Sequence, residues 1–314
     1  MLKRTCLIAM LALVTLMPGI QAIVGISASP LTPPTSISIR MYQLESNGEI
    51  YRNALGTPQA CATPNNQNQW GCTAFWARPT LQATVVPYPY GSTAIPEVAL
   101  ETDYLLDVVP AEMIVEPAPL AALQSQAIAS RSYAYFKSQT PVPMWNSTKH
   151  QVFVPYRFEY LRVQGGDHSY NPTTTPTPVP LDCAALPATG VTRYQRRVCD
   201  AVAQTQGKYI SYNGEPPAFS EFYSDRRADA TPFPTPPASP YQRWVVDPIS
   251  RPPPQGDAVN TGHGRGLSSR GAMRWAKGNS CALAVCSPPW SVRWDDVRQI
   301  LTHYYTGVHI RDAN

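Results

Sequence analysis

Pro117-Ala118-Pro119-Leu120-Ala121-Ala122-Leu123-Gln124-Ser125-Gln126-Ala127-Ile128-Ala129-Ser130-Arg131-Ser132-Tyr133-Ala134-Tyr135-Phe136-Lys137-Ser138 is the stretch on which the fold turns. Ala and Leu dominate it and Pro119 suits a first turn, so the spacing predicts one long helix over 117–138. Leu120, Leu123, Ala127 and Ala134 share one stripe of that helix. Arg131 falls in the middle of the stripe, so its guanidinium must either snorkel out or meet a buried acceptor.

Working outward, residues 37–89 hold short alternating runs such as Ile37-Ser38-Ile39-Arg40-Met41-Tyr42, separated by Asn- and Gly-rich turns. This portion is expected to be β. Downstream, Gly207 to Gly214 reads as a strand ending in an Asn-Gly turn, with Ala218 to Tyr223 as its expected partner. Trp294 to Tyr305 predicts a C-terminal helix with Trp294, Val297, Ile300, Leu301 and Tyr304 on its apolar face. Two Pro/Thr tracts, Asn171 to Pro180 and Thr231 to Pro240, cannot sit inside a helix or sheet and read as surface insertions. The fold class that results is α+β: mixed β-sheet regions packed with a long helix, preceded by a β-rich N-terminal extension.

The 314 residues are 43% apolar but only 15% charged, with 34 prolines and 18 glycines, which excludes a coiled coil and a disordered chain. Lys3-Arg4, the apolar run Cys6 to Met17 and the small-residue end at Ala22 have the form of a secretory signal peptide over residues 1–22. No later stretch is apolar for long enough to span a bilayer. Without Lys3 and Arg4 the chain keeps 23 basic against 21 acidic residues, a balance that argues against a nucleic-acid binder. Six cysteines remain, Cys61, Cys72, Cys183, Cys199, Cys281 and Cys286, and they fall as three pairs close in sequence. In an exported chain they read as three local disulfides; none has the Cys-x-x-Cys spacing of a zinc site.

Two places can carry chemistry. Glu112 sits in the apolar segment Val108-Val109-Pro110-Ala111-Glu112-Met113, where the charged form of a carboxyl is disfavoured, the condition a general acid needs near neutral pH. The plainer reading is a Glu stabilising the first turn of a helix. Gly262-His263-Gly264-Arg265-Gly266-Leu267-Ser268 combines backbone that can approach a ligand closely with one proton carrier, His263, although glycine-rich turns also occur in loops that bind nothing. The histidines at 150, 168, 263, 303 and 309 include no i, i+4 zinc pair. Asn146-Ser147-Thr148 fits the N-glycosylation sequon.

Glu101 to Met113 followed by Pro119 to Tyr133 resembles the signature of the stage II sporulation protein D family, SpoIID/LytB, in both order and spacing. Gly207 to Gly214, the glycine-histidine block and Ile300 to Gly307 follow in family order. The resemblance covers about residues 95–310 and, with the leader and β-rich stretch read above, gives three expected parts: signal peptide 1–22, linker and β-rich extension 23–94, and a SpoIID/LytB-like domain 95–312. It implies action on peptidoglycan, as a lytic transglycosylase that cuts glycan strands stripped of stem peptides, or as a non-catalytic wall-binding protein or enhancer of a cell-wall amidase. The family's catalytic acid maps to Glu112. Its substrate-binding positions map to Gln126, Arg131 and Tyr133 on the long helix, to Ser224, and to His263, Gly264, Gly266 and Ser268. The expected acceptor for Arg131 lies near Glu112 without pairing with it directly, since a direct pair would weaken the acid.

The chain also departs from the family pattern. Gln124 replaces the usual Lys of the long helix, Ser269 a frequent Gln, and Arg226-Arg227-Ala228-Asp229 a small, Gly-rich run. The zinc cluster of the sporulation branch is not matched, because Lys149-His150-Gln151 supplies one His and no Cys. No cofactor is called for. The expected setting is extracytoplasmic, at the cell wall, with glycan strands as the partner.

Overall fold

The computed structural model describes residues 32–45, 47–61, 72, 86–88, 92–115, 118–155, 157–159, 161, 182–190, 192–214, 217–224, 239–243, 245, 249, 263–278 and 292–313. The expected leader, the first Pro/Thr tract, Arg226 to Asp229, Cys281 and Cys286 lie outside the described residues.

The strand β1 (Ser36–Met41) alternates as its sequence requires, with Ile37, Ile39 and Met41 buried. It pairs antiparallel with β3 (Ser92–Ala99) and parallel with β4 (Met144–Trp145), while β2 (Val86–Tyr88) adds to the far side of β3, giving the order β2-β3-β1-β4. The extension is therefore built into the same sheet as the segment that follows the long helix. After β1 the chain meanders through the bridges Tyr42 to Ala60, Leu44 to Ile50 and Arg52 to Pro58. A Cys61–Cys72 disulfide ties its end. Tyr42, Leu44 and Ile50 pack on Val152 and Val154 as a satellite core beside the main one.

From β3 the chain runs through a π-helical turn, Leu100–Tyr104, into α1 (Leu105–Glu112). The long helix α2 (Leu120–Ser138) begins three residues later than its composition suggests, because Pro119 takes an extended ψ of 158° and caps it instead of entering it. Fourteen of its residues are buried, facing every direction, as a helix of small and apolar residues must be when it forms the centre of a domain. Around it pack α1, α3 (Arg193–Gln204), β5 (Lys208–Tyr212), α4 (Ser269–Lys277) and α5 (Val297–Tyr304).

The C-terminal helix is shorter than expected. Asp296 caps it, accepting from the Arg298 N–H at 2.8 Å, and Trp294 stays outside to stack on Trp275 with ring centroids 3.8 Å apart. The partner of β5 also differs from expectation. Residues Phe222–Tyr223 form β6, which pairs in parallel with β7 (Leu267–Ser268) instead. The strand that joins β5 is β8 (Val308–Asp312), antiparallel over five residue pairs. Among the described residues, the segment around Pro217 and Ala218 contributes to β5 the Ala218 N–H to Ile210 carbonyl bond and a Ser211–Pro217 bridge. The Asn213-Gly214 turn is present, both residues having positive φ. A Cys183–Cys199 disulfide fastens α3 to the short helical turn before it. Among the described residues no helix is long and apolar enough to cross a membrane.

Candidate active site

Glu112 is the last residue of α1, followed by Met113 in extended conformation. That position excludes the plainer reading of a first-turn Glu, because negative charge is disfavoured at a helix C-terminus. Its side chain is half-buried and faces a cleft of about 720 Å³. Oε1 accepts the Val152 N–H at 2.6 Å, and among the described residues no cation pairs with it. Loss of solvent to the surrounding protein pushes the carboxyl from 4.5 up to about 7, with the Val152 hydrogen bond opposing the shift. Glu112 can thus hold a proton at neutral pH and release it.

Further lining comes from Glu221 and β6, from His263 and Arg265 ahead of β7, and from α4. Glu221, just before β6, receives a bidentate ion pair from Arg265, Nε at 2.7 Å and Nη2 at 2.8 Å. Its backbone carbonyl accepts from the Tyr305 hydroxyl at 2.7 Å and from the Leu267 N–H at 3.2 Å. Gly266 packs directly over that carbonyl with φ +73°, and a Cβ there would overlap the oxygen. The glycine is needed for this chain-on-chain contact.

Two histidines border the cleft. The His263 Nδ1 accepts the Arg265 N–H at 3.1 Å; burial lowers its pKa, with Glu221 opposing and Arg265 adding to the fall. The His150 Nδ1 accepts the Trp145 N–H at 2.8 Å, which leaves its neutral form protonated on Nε2. Burial first, then Lys137 and Lys149, pushes His150 down to about 4. Tyr133 reaches the cleft from α2, close enough to both Glu221 and Glu112 for each to add to the rise that burial causes. Its hydroxyl therefore stays a donor at working pH.

Of the positions singled out in the sequence, Glu112, Tyr133, Ser224 and His263 line this cleft. Gly264 lies between two of its lining residues, His263 and Arg265. The others stand behind it. Ser268 is buried and caps α4, its Oγ accepting the Gly271 N–H at 3.0 Å. Gln126 is buried, donating to Ser130 and accepting from Ser269, both at 3.2 Å. The buried Arg131 meets its acceptor not near Glu112 but at the half-buried Glu101, in a bidentate pair of 2.6 and 2.7 Å, with the carbonyls of Val202 and Lys208 also accepting. That network fastens α2 to α3 and β5. Gln124 faces Gln204 of α3, so that departure from the family pattern is outside the cleft lining.

Sequence reasoning passes over Glu221, Arg265, Lys149 and the Asn47 and Glu49 of the meander, all of which line the cleft. The signal that exposes Glu221 is the one that exposes Glu112, a lone carboxylate in an apolar run, here Ala218-Phe219-Ser220-Glu221-Phe222-Tyr223. The sequon is closed: Asn146 is fully buried, its amide donating to the Tyr42 carbonyl at 3.0 Å and accepting the Tyr42 N–H at 2.9 Å. The surroundings of His150 do not fit zinc, since Lys137 and Lys149 are the charged groups that act on it. Among the described residues no group of three His, Cys, Asp or Glu could hold a metal.

An α+β scaffold that sets a proton-holding carboxyl and an ion-paired one in the same cleft has the makings of an acid–base site for a polar substrate. Residues 89–212 match the model of the SpoIID family, described as Stage II sporulation protein, which supports the family resemblance and suggests a sporulation- or cell-wall-related protein. No curated protein matches the chain.

Proposed function

We propose that this protein is a secreted lytic transglycosylase that cleaves the MurNAc–GlcNAc strands of peptidoglycan, with Glu112 as both acid and base. The observation that carries this reading is the Glu112 carboxyl itself: in the cleft, at a helix C-terminus, without an ion-pair partner among the described residues and lifted to about 7. Protonated, it gives its proton to the glycosidic oxygen as the bond to C1 of the muramic sugar breaks. As a carboxylate, it then takes the proton of that sugar's 6-hydroxyl while O6 closes on C1. The proton is returned, no water enters, and the product carries an anhydro end. Tyr133, with its hydroxyl held protonated, is suited to donate to a sugar oxygen in between.

The test is digestion of peptide-free glycan strands by the wild type and by Glu112→Gln, with mass detection of anhydro-muramic ends. The wild type should produce them and the variant should be slower by about 10²–10⁴-fold. Binding of the strands by both proteins with no product from either would replace this reading with that of a wall-binding protein or an amidase enhancer.

A further inference from the structure

We propose that Glu221 is a second working carboxylate of this cleft, an anion fixed by Arg265 that stabilises positive charge on the sugar ring while Glu112 handles the proton. The inference rests on the transglycosylase reading and adds to it a residue beyond the SpoIID match, which ends at residue 212.

Three observations carry it. First, Glu221 and Glu112 line one cleft, and the Tyr133 phenol, which lines it too, lies near enough to feel both. Second, the two carboxyls are treated in opposite ways. Glu112 accepts one backbone N–H, whereas Glu221 has both oxygens on a guanidinium. Two carboxyls whose surroundings differ in this manner can divide the work of glycoside cleavage, one as proton donor and one as fixed charge. Third, Glu221 is immobilised more than a surface ion pair requires. Its backbone carbonyl is held by Tyr305, Leu267 and the close approach of Gly266, yet its side chain keeps 13% of its surface open. Each carboxylate oxygen has a second lone pair, so the Arg265 fork leaves acceptor capacity free.

As the C1–oxygen bond breaks, charge of oxocarbenium type develops across C1 and the ring oxygen. A carboxylate already fixed beside that ring stabilises it without reorganising at the moment of reaction. Glu221 forms no bond and exchanges no proton; the proton leaves from and returns to Glu112.

The experiment compares Glu221→Gln with Arg265→Gln on peptide-free glycan, with melting temperatures recorded for both. The two variants break the same ion pair, but only the first removes the anion. Glu221→Gln should lower kcat by about 10²–10³-fold with KM changed by less than about threefold, and Arg265→Gln should lower kcat by less than about tenfold. Equal losses in the two variants, tracking a shared fall in melting temperature, would overturn the proposal, as would wild-type kcat in Glu221→Gln. Should Glu221→Gln not fold, Glu221→Asp keeps the charge but retracts it, and kcat must then fall while glycan affinity holds; an unchanged kcat overturns the assignment. A wild type that yields no anhydro ends removes the transglycosylase reading itself, and Glu221's role with it.

Discussion

Two bidentate arginine–glutamate pairs of nearly the same geometry serve different ends here. Arg131 grips Glu101 at 2.6 and 2.7 Å, and Arg265 grips Glu221 at 2.7 and 2.8 Å. The Arg131 side chain is fully buried, crosses from α2 to the π-helical turn and also holds two backbone carbonyls. The Arg265 side chain is 27% exposed and its partner lines the cleft. Geometry of the pair does not reveal its role; what else each member touches does. A guanidinium that satisfies main-chain carbonyls in the core is joining elements, while one that only orients a carboxylate beside a cleft is setting up a charge.

The sharpest way to break this contrast is to delete both arginines. Arg131→Met leaves Glu101 and two carbonyls without their donor, and should cost about 3–5 kcal/mol of stability. Arg265→Met breaks a partly solvated pair and should cost no more than about 1 kcal/mol. Urea unfolding of the two variants measures this, and equal losses would dissolve the distinction.

A smaller effect concerns the carboxyl with no arginine. The folded state raises Glu112 from 4.5 to about 7, so it retains a proton that the unfolded chain releases in that interval. The resulting stability is fully present below about pH 4.5 and is lost as pH rises through 7. Glu112→Gln, which never charges, should therefore be more stable than the wild type at pH 9 by at most roughly 3 kcal/mol, and the difference should vanish near pH 4. Glycan cleavage should fall about tenfold per pH unit above 7, as the acid form is depleted. A stability difference between the two proteins that ignores pH would show that the carboxyl is not held as described.

The meander supplies a third comparison, since it brings Asn47 and Glu49 to the rim of the cleft but is joined through the Asn146 amide. Asn146→Ala removes both hydrogen bonds of the amide to the Tyr42 backbone and should cost about 1–3 kcal/mol in thermal unfolding. At the bottom of the scale, Gln124→Lys restores the family's residue on a helix face turned toward α3, and should change stability and cleavage by less than about 0.5 kcal/mol. A large gain in cleavage would mean that α2 communicates with the cleft through that face.

Much of this is legible from pattern. The alternation in Ile37, Ile39 and Met41 marks β1, and the small-residue run marks α2, since both periods are local properties of the chain. Two of the close cysteine pairs, Cys61–Cys72 and Cys183–Cys199, are joined as their proximity suggests. The helix α1 is hidden because it is short and carries Pro110 in its interior, continuing only two residues further, to Glu112. The helix α3 escapes the sequence reading despite a sound signal, Tyr194, Val198, Ala201 and Val202 repeating at helical spacing.

By itself the sequence determined that the chain is α+β, that it holds one long helix, and that Glu112 sits in an apolar segment. Only the tertiary structure decided which strand β5 would choose, because partner choice depends on elements separated by about a hundred residues. It alone sorted Arg131 and Gln126 into the core and Glu221 and Arg265 into the cleft, since burial and ion pairing are properties of what surrounds a side chain and not of the residues beside it in sequence.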